Sequence, residues 1–372
     1  MSDDHLPEPD RIEGAPHPSE AFALLGQTAA EASFLDAFNQ GRLHHAWLIS
    51  GPKGVGKATL AWRLARFLLA TPDDTAGGLF GDPVKPENLD IPADHPVVRR
   101  MQAGSAGGLF VLRRGYDDKT KRLRSVITVD EVRKLKNFFA LSSTDGGRRV
   151  VIVDAADEMN MPAANALLKV LEEPPEKTTL LLVCHQPSRL LPTVRSRCRD
   201  LRLPKLGSGD MAQALRGVGL EMPADTEGLV VLAEGSVGDA VRLVNLDGMK
   251  TYRALLSVLK SMPKFDRQLA IAVAESAVGR GSEERRALLF SLVDIVLARL
   301  TRAGVLRQDG PEVIPGENDL FRHLCPNDFA ARKWATVAQE ISERNQHGLA
   351  VNLDPAALIL DTVFKIQQTV EG

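Results

Sequence analysis

The sequence has few cysteines, and none of them is spaced for a metal site. Its 372 residues include three, Cys184, Cys198 and Cys325. Three thiols cannot build the disulfide framework of a small secreted domain, so a reducing compartment is expected. No two of them have the C-x-x-C spacing of a structural zinc site, and we therefore expect no bound metal.

The chain also has few aromatic residues. It has neither an excess of one charge sign nor a long apolar run. Aromatic residues make up 5% of the chain, and 46 Lys and Arg face 48 Asp and Glu, a formal net charge of −2. This balance excludes a protein that coats nucleic acid by bulk charge. No apolar run approaches the ~18 residues of a membrane-spanning helix, and the acidic N-terminus does not resemble a signal peptide. We expect a soluble, cytoplasmic protein without membrane contact.

The hydrophobic pattern divides the chain into segments, and at roughly 150 residues per domain its length suggests two or three domains. Residues 1–19 carry four prolines among charged residues, which predicts a disordered tail. Strands that alternate with helices over residues 20–205 predict an α/β domain with a parallel sheet. The pattern then becomes helical, which predicts a small helical domain over 206–247 and an all-helical domain over 248–372.

Local signals refine this plan. An apolar helical period covers residues 19–42 and predicts one helix there. The Gly- and Pro-rich stretch 71–109 predicts a long surface insertion. Thr128 and Glu131 have the spacing of a capping box, so a helix is expected to begin beside Thr128.

The motif GPKGVGK at Gly51–Lys57 matches G-x-x-x-x-G-K, and it lies between the apolar strand AWLIS and a helix. In this context backbone N–H groups around Gly51, Gly54 and Gly56 hold phosphates, and Lys57 adds a positive charge. The alternative is a glycine turn that joins strand to helix without any ligand.

The motif departs from an active nucleotide site at the next position. Ser or Thr normally follows the lysine and ligates Mg²⁺, but here Ala58 follows Lys57. Thr59 comes one residue later and should point elsewhere on the helix. Loss of the hydroxyl ligand is expected to weaken binding of Mg²⁺-ATP.

A second buried strand, VVIVD, ends at Asp154, where a Mg²⁺-directing carboxylate belongs in a nucleotide site. The alternative for Asp154 is a residue that begins a turn at a strand end. Ala155 follows it, and Glu158 lies past the strand end as a solvated or capping residue. The candidate nucleotide site therefore comprises six residues: Gly51, Gly54, Gly56, Lys57, Thr59 and Asp154.

A third feature is the basic run TVRSRCRD, in which Arg195, Arg197 and Arg199 alternate with Ser196 and Cys198. A guanidinium at a domain edge can reach the γ-phosphate of a nucleotide on a neighbouring subunit and stabilise developing charge there. The alternative is a solvated basic turn.

At these residues the chain resembles the clamp-loader family of the AAA+ proteins. The resemblance runs through LLGQ, HHAWLISGPKGVGK, ITVDEVRKLKNFF, ANALLKVLEEPP and LLPTVRSRC, and it covers most of residues 20–205. The run ANALLKVLEEPP followed by Ser-Arg-Cys is highly specific. The resemblance implies an AAA+ P-loop domain with a parallel sheet, then a helical lid and a C-terminal helical collar.

The departures from the family pattern imply a subunit that does not hydrolyse its own ATP. Ala58, Ala155 and Gly238 stand where the ATPase subunits carry the Mg²⁺ ligand, the water-orienting Glu and a sensor arginine. Arg197 of the Ser-Arg-Cys triplet remains, and the resemblance implies that it acts as an arginine finger in trans. No cofactor is required on this view, and residual ATP or ADP binding is possible. Relatives often carry four zinc-binding cysteines within 71–109, but this chain has none there, so zinc is not carried over.

The resemblance also implies partners. These are the gamma/tau and delta subunits of a hetero-pentameric clamp loader, the sliding clamp indirectly, and primed DNA within the complex. The assembly belongs to a DNA polymerase III holoenzyme in which other subunits carry out polymerisation. Two alternatives stay open, namely an active ATPase of the gamma/tau type and a structural scaffold whose arginine is silent.

Overall fold

The computed structural model describes residues 8–71, 85–140, 147–219, 225–264, 266–276, 283–351 and 353–371. The chain divides into two compact units. The first comprises Met1–Leu220 with Gly235–Asp239, and the second comprises Glu221–Glu234 with Ala240–Gly372. The expected lid and collar boundaries stay a prediction.

The first unit is built on a parallel sheet. The strands of the described residues are β1 (Ala46–Ser50), β2 (Leu109–Arg113), β3 (Tyr116–Asp117), β4 (Arg122–Leu123), β5 (Arg149–Asp154), β6 (Thr178–Cys184) and β7 (Arg199–Arg202). Five of them form one sheet in the order β2-β5-β6-β1-β7, and every adjacent pair is parallel. Strands β3 and β4 form a small antiparallel pair. The predicted α/β class with a parallel sheet is confirmed.

Helices cover this sheet. They are α1 (Thr28–Asn39), α2 (Lys57–Ala70), α3 (Pro96–Gln102), α4 (Val129–Ala140), α5 (Met161–Glu172), α6 (Pro192–Arg195) and α7 (Ser208–Val218). Strands β1 and β6 are buried at every residue. Continuous apolar runs such as these suit strands that have both faces of a parallel sheet covered. One half of the predicted capping box is present, because the Thr128 amide donates to Glu131 at 3.0 Å beside the start of α4.

The helix predicted over residues 19–42 begins only at Thr28. Gly26 adopts φ +71°, a left-handed conformation that interrupts a helix and favours glycine. The Gln27 side chain donates to the backbone oxygens of Val55 and Pro204, at 3.3 and 3.0 Å. The helix therefore starts later than the apolar period predicts, because Gly26 and the tertiary hydrogen bonds of Gln27 fix the preceding residues in another conformation.

The predicted insertion over 71–109 is only partly a loop. Residues 72–84 lie outside the described part of the chain, whereas α3 follows and buries Val97, Val98 and Met101. The His95 side chain accepts a hydrogen bond from the Val97 amide and caps the helix. A seven-residue helix among Gly, Pro and Asp carries too short a period to be recognised.

The predicted disordered tail is wrong for residues 8–19. Arg113 contacts Glu8 at 2.7 Å and Asp10 at 2.8 Å. His17 is buried and contacts Asp10 at 3.0 Å. Proline and charge suggested disorder because the cation that neutralises both carboxylates lies about a hundred residues away in the sequence.

The second unit is helical. Its helices are α8 (Thr226–Ala233), α10 (Gly248–Lys260), α11 (Arg267–Ser276), α12 (Glu283–Leu306), α13 (Glu317–Leu324), α14 (Asp328–Ala350) and α15 (Pro355–Glu371). Helix α9 (Val237–Asn245) begins in the first unit and ends in the second. The long helices α12 and α14 pack together, and α15 packs on α14 and α11. No helix among the described residues has the length and apolarity to cross a membrane.

A buried carboxylate organises part of the second unit. Glu317 accepts hydrogen bonds from Nε and Nη2 of Arg299 at 2.9 and 3.0 Å. It also accepts from the Val313 amide at 2.6 Å and from the Tyr252 hydroxyl. Buried charges are tolerated where they are paired and hydrogen-bonded in this way.

We expect Glu317→Ala to destabilise the protein by about 3–5 kcal/mol, because it leaves the Arg299 guanidinium largely buried without a charge partner. Asp361→Ala is the matched control. It removes a pair with Arg344 in which both side chains are about half exposed, and such pairs contribute about 0–1 kcal/mol. Urea unfolding of both variants measures the difference, and equal losses would contradict the argument.

Candidate functional site

The glycine motif connects β1 to α2 and is held in a tight backbone geometry. Gly51, Gly54 and Gly56 have φ of +149°, +75° and +96°. A Cβ on Gly51 would lie 2.3 Å from the backbone oxygen of Leu203. Only glycine combines these angles with so close a backbone approach. The sequence-predicted strand–loop–helix context of a P-loop is confirmed.

Lys57 does not face an open phosphate site. It is the first residue of α2 and only 3% exposed. Its Nζ donates to the backbone oxygens of Gly51, at 2.8 Å, and Pro52. Burial lowers the pKa of this ammonium to about 8, although the carboxylates of Asp154 and Asp157 act in the opposite direction. The lysine therefore bonds to the loop that would cradle a phosphate.

Asp154 ends β5 and is 9% exposed. Burial raises the pKa of its carboxyl to about 7, and the negative charges of Asp10 and Glu158 add to the effect. Ala155 follows it and is buried. Glu158 forms an ion pair with Arg114 at 2.8 Å, which fits its expected place outside the catalytic groups.

Residues beside Lys57 offer little to a Mg²⁺ ion. Ala58 has no ligating atom, and Thr59 is half-buried in the first turn of α2. Within the described ranges no group of three or more His, Cys, Asp or Glu could hold a metal ion.

Asp157 is a residue of this site that sequence reasoning missed. Its Oδ1 accepts from the His185 amide and its Oδ2 from the Gln186 amide, both at 3.0 Å. These bonds tie the end of β5 to the turn after β6. No spacing in the sequence signals the link, because the partners are backbone groups 28 and 29 residues away.

The segment that starts α9 packs directly on the loop. Ser236 Oγ donates to the Lys53 oxygen at 2.9 Å, and the Gly238 amide donates to the Gly54 oxygen at 3.1 Å. A Cβ on Gly238 would lie 2.9 Å from the Cα of Gly54. This contact leaves no room for a side chain at Gly238, the position at which the family resemblance implies a sensor arginine in ATPase subunits.

Arg197 follows α6, and its polar contacts lie outside the glycine loop. Its Nη1 donates to the Thr193 oxygen at 3.0 Å, and its Nη2 contacts Glu172 at 2.8 Å. The side chain is 36% exposed. Of the two neighbouring arginines, Arg195 is exposed, and the Arg199 guanidinium lies over the Trp47 ring, 5.0 Å from its centroid.

The parallel sheet and the glycine loop after β1 define an α/β domain of the P-loop class. The sequence profile of the family described as "DNA polymerase III, delta subunit" matches residues 26–207. Over these residues, just under half of its length, the chain is similar to that family of DNA polymerase III subunits.

The chain is also similar to individual DNA polymerase III subunits, delta-prime subunits among them. It is 37% identical to the Pseudomonas aeruginosa DNA polymerase III subunit delta' over 62% of this chain and 65% of that protein. The match thus spans slightly less than two thirds of that relative. Identity to the Escherichia coli delta' subunit is 27% over 90% of this chain and 92% of that one. The Mycobacterium tuberculosis gamma/tau subunit is 30% identical over 66% of this chain and 37% of that protein.

We expect Asp154→Asn to stabilise the protein more at pH 8 than at pH 5. The folded-state pKa lies above the unfolded value of 3.8, so the folded state binds more protons between pH 3.8 and about 7. Stability from this group therefore falls as the pH rises through that window. The amide removes the penalty, with a gain on the order of 1–3 kcal/mol at pH 8.

Asp157→Asn is the contrasting variant, because it removes a carboxylate oxygen that accepts from a backbone amide. It should lower the melting temperature at both pH values. Thermal unfolding at pH 5 and pH 8 measures both effects. A gain from Asp154→Asn that is equal at the two pH values would show that Asp154 does not titrate between them.

Proposed function

We propose that the chain is a non-hydrolysing, delta-prime-type subunit of a clamp loader. In the assembly Arg197 contributes a guanidinium to ATP bound on a neighbouring gamma/tau subunit. The observation that carries the proposal is the contrast between two cations. Lys57 is buried against its own loop, whereas Arg197 is partly exposed and bonded away from that loop.

The residues around the glycine loop support the absence of hydrolysis. Ala58 supplies no oxygen to Mg²⁺, and Ala155 supplies no base to orient water. Asp154 loses much of its tendency to ionise because it is buried beside other carboxylates. On this proposal the nucleotide site is degenerate and requires no cofactor. It comprises Gly51, Gly54, Gly56, Lys57, Thr59 and Asp154.

The chemistry of Arg197 supports a role in trans. During phosphoryl transfer, charge develops on the γ-phosphate oxygens and the leaving group. A guanidinium is always charged and presents a planar fork of N–H donors to such oxygens. Arg197 donates from Nη1 to the Thr193 oxygen and from Nη2 to Glu172. Its other N–H groups can donate to a ligand.

We propose that the partners are gamma/tau and delta subunits in a hetero-pentamer, which acts on the sliding clamp and on primed DNA. The helical region 248–372 is the proposed assembly element. Its exposed apolar side chains support this role, among them Phe329, which is 79% exposed, with Val305 and Leu306. Such side chains often lie in contact with partner subunits.

The purified chain alone should hydrolyse ATP no faster than background. Loss of one positioned catalytic group typically lowers the rate by ~10²–10⁴, and here both a metal ligand and a base are missing. A phosphate-release assay measures the rate, with Lys57→Ala as the control. Steady turnover that Lys57→Ala abolishes would favour an active ATPase of the gamma/tau type.

Arg197→Ala should lower the clamp- and DNA-stimulated ATPase of the reconstituted complex while assembly stays intact. Fingers of this kind contribute ~10³–10⁵ in rate at a site that depends on them. The loss here should be partial, because other sites receive arginines from other subunits. Arg197→Lys should rescue poorly, since an ammonium lacks the fork.

Arg195→Ala is the matched control, because Arg195 is an exposed arginine two residues away. It should leave the ATPase and clamp loading near the level of the unmodified complex. Clamp loading at that same level by the Arg197→Ala complex under saturating ATP would favour the scaffold alternative.

A further inference from the structure

The N-terminal strap, which we define as residues 8–24, runs over the degenerate nucleotide site. We propose that this strap closes the P-loop of its own chain and excludes nucleotide until it is displaced. The strap would then act as an intramolecular occupant of the site. The inference does not depend on the role proposed for Arg197.

The strap is anchored along α2, the helix that follows the glycine loop. The His17 ring meets the Trp62 ring edge-on, with centroids 5.8 Å apart. Arg66 donates to the backbone oxygens of Ser19 and Ala21 at 3.0 and 3.3 Å. These contacts hold the middle of the strap along the helix whose N-terminus would face a phosphate.

A second anchor lies at the carboxyl edge of the sheet. Arg113 ends β2 and contacts Glu8 and Asp10, and Asp10 is almost fully buried. Arg113 is also the register partner of Asp154, the residue that ends β5. The strap therefore places two carboxylates at the edge where a bound nucleotide would carry its phosphates.

Apolar side chains of the strap lie beside the loop and beside Gly238, which packs on the loop. Ile12 Cδ1 lies 3.2 Å from where a Cβ of Gly238 would be, and the Gly238 amide is bonded to the Gly54 oxygen. Leu24 Cδ1 lies 2.6 Å from the corresponding point on Gly56. A phosphate chain that reached the loop would have to move these side chains.

Electrostatics act in the same direction. Glu8 and Asp10 pair with Arg113 and so occupy a cation near the site. Lys57, the cation of the loop, is bonded to carbonyl oxygens of Gly51 and Pro52. If nucleotide binds only after the strap is displaced, its apparent affinity equals the intrinsic affinity multiplied by the fraction of molecules whose strap is displaced. Loosening the strap should therefore increase nucleotide affinity even though the residues of the loop are unchanged.

The test uses the full chain and the fluorescent nucleotide mant-ATP, with and without Mg²⁺. The triple variant Glu8→Gln/Asp10→Asn/Ile12→Ser removes both carboxylate charges and the apolar contact. It should bind mant-ATP at least about tenfold more tightly than the unmodified chain. Adding Lys57→Ala to the triple variant should remove the gain, because Lys57 is the cation of the loop that a bound phosphate would contact.

The matched control is Asp94→Asn/Asp118→Asn, which removes two carboxylate charges at exposed positions of the same unit. It should bind mant-ATP as weakly as the unmodified chain. Ile12→Ser alone is a milder variant, with a smaller gain expected, in case the triple variant does not fold. Hydrogen exchange of residues 51–57 should be faster in each strap variant.

Either of two results would overturn the proposal. The first is a folded strap variant whose loop exchanges faster but which binds mant-ATP no better than the unmodified chain. The second is an unmodified chain that already binds mant-ATP as tightly as the variants through Lys57. Binding without turnover by the triple variant would agree with both this inference and the proposed lack of hydrolysis. Turnover would contradict only the latter.

Discussion

The close approach of other backbone segments to the glycine loop constrains much of the first unit. The oxygen of Leu203 lies where a Cβ of Gly51 would be, and Ser236 Oγ lies 2.2 Å from where a Cβ of Gly54 would be. Any larger residue at either position would separate the segments that meet there. The segment after β7, the start of α9 and the strap thus converge on one loop that requires glycine at Gly51 and Gly54.

The charges around this loop form a second constraint. Two cations, Lys57 and Arg113, lie among the carboxylates of Asp10, Asp154 and Asp157. These carboxylates already interact with the two cations, which leaves less positive charge available to an anionic ligand. In an active nucleotide site the lysine would instead be available to phosphate oxygens. The geometry and the electrostatics therefore both support a domain that has kept the P-loop fold without its chemistry.

Arg197, the proposed finger, is positioned independently of the glycine loop. Its position depends on the turn after β6 and on α6, which is separate from the glycine loop in sequence. Contacts with Glu172 and Thr193 limit its motion, and a guanidinium that is held in place loses less conformational entropy when it binds a ligand. Changes at Ala58 or Ala155 need not disturb this arginine, because none of its polar contacts involves them.

The sequence by itself determined the parallel α/β class, the P-loop context of Gly51–Lys57 and the capping box at Thr128, because these depend on local periodicity and spacing. It also located Ala58 and Ala155, where an absent side chain can be recognised directly. Tertiary structure decided the start of α1 at Thr28, the packing of residues 8–19 and the contacts of Asp157. Each of these depends on a partner that is distant in sequence, such as Arg113 for Asp10, and no local pattern encodes such a pairing. The orientation of Lys57 was decided in the same way, since burial and the surrounding segments direct its ammonium toward its own loop.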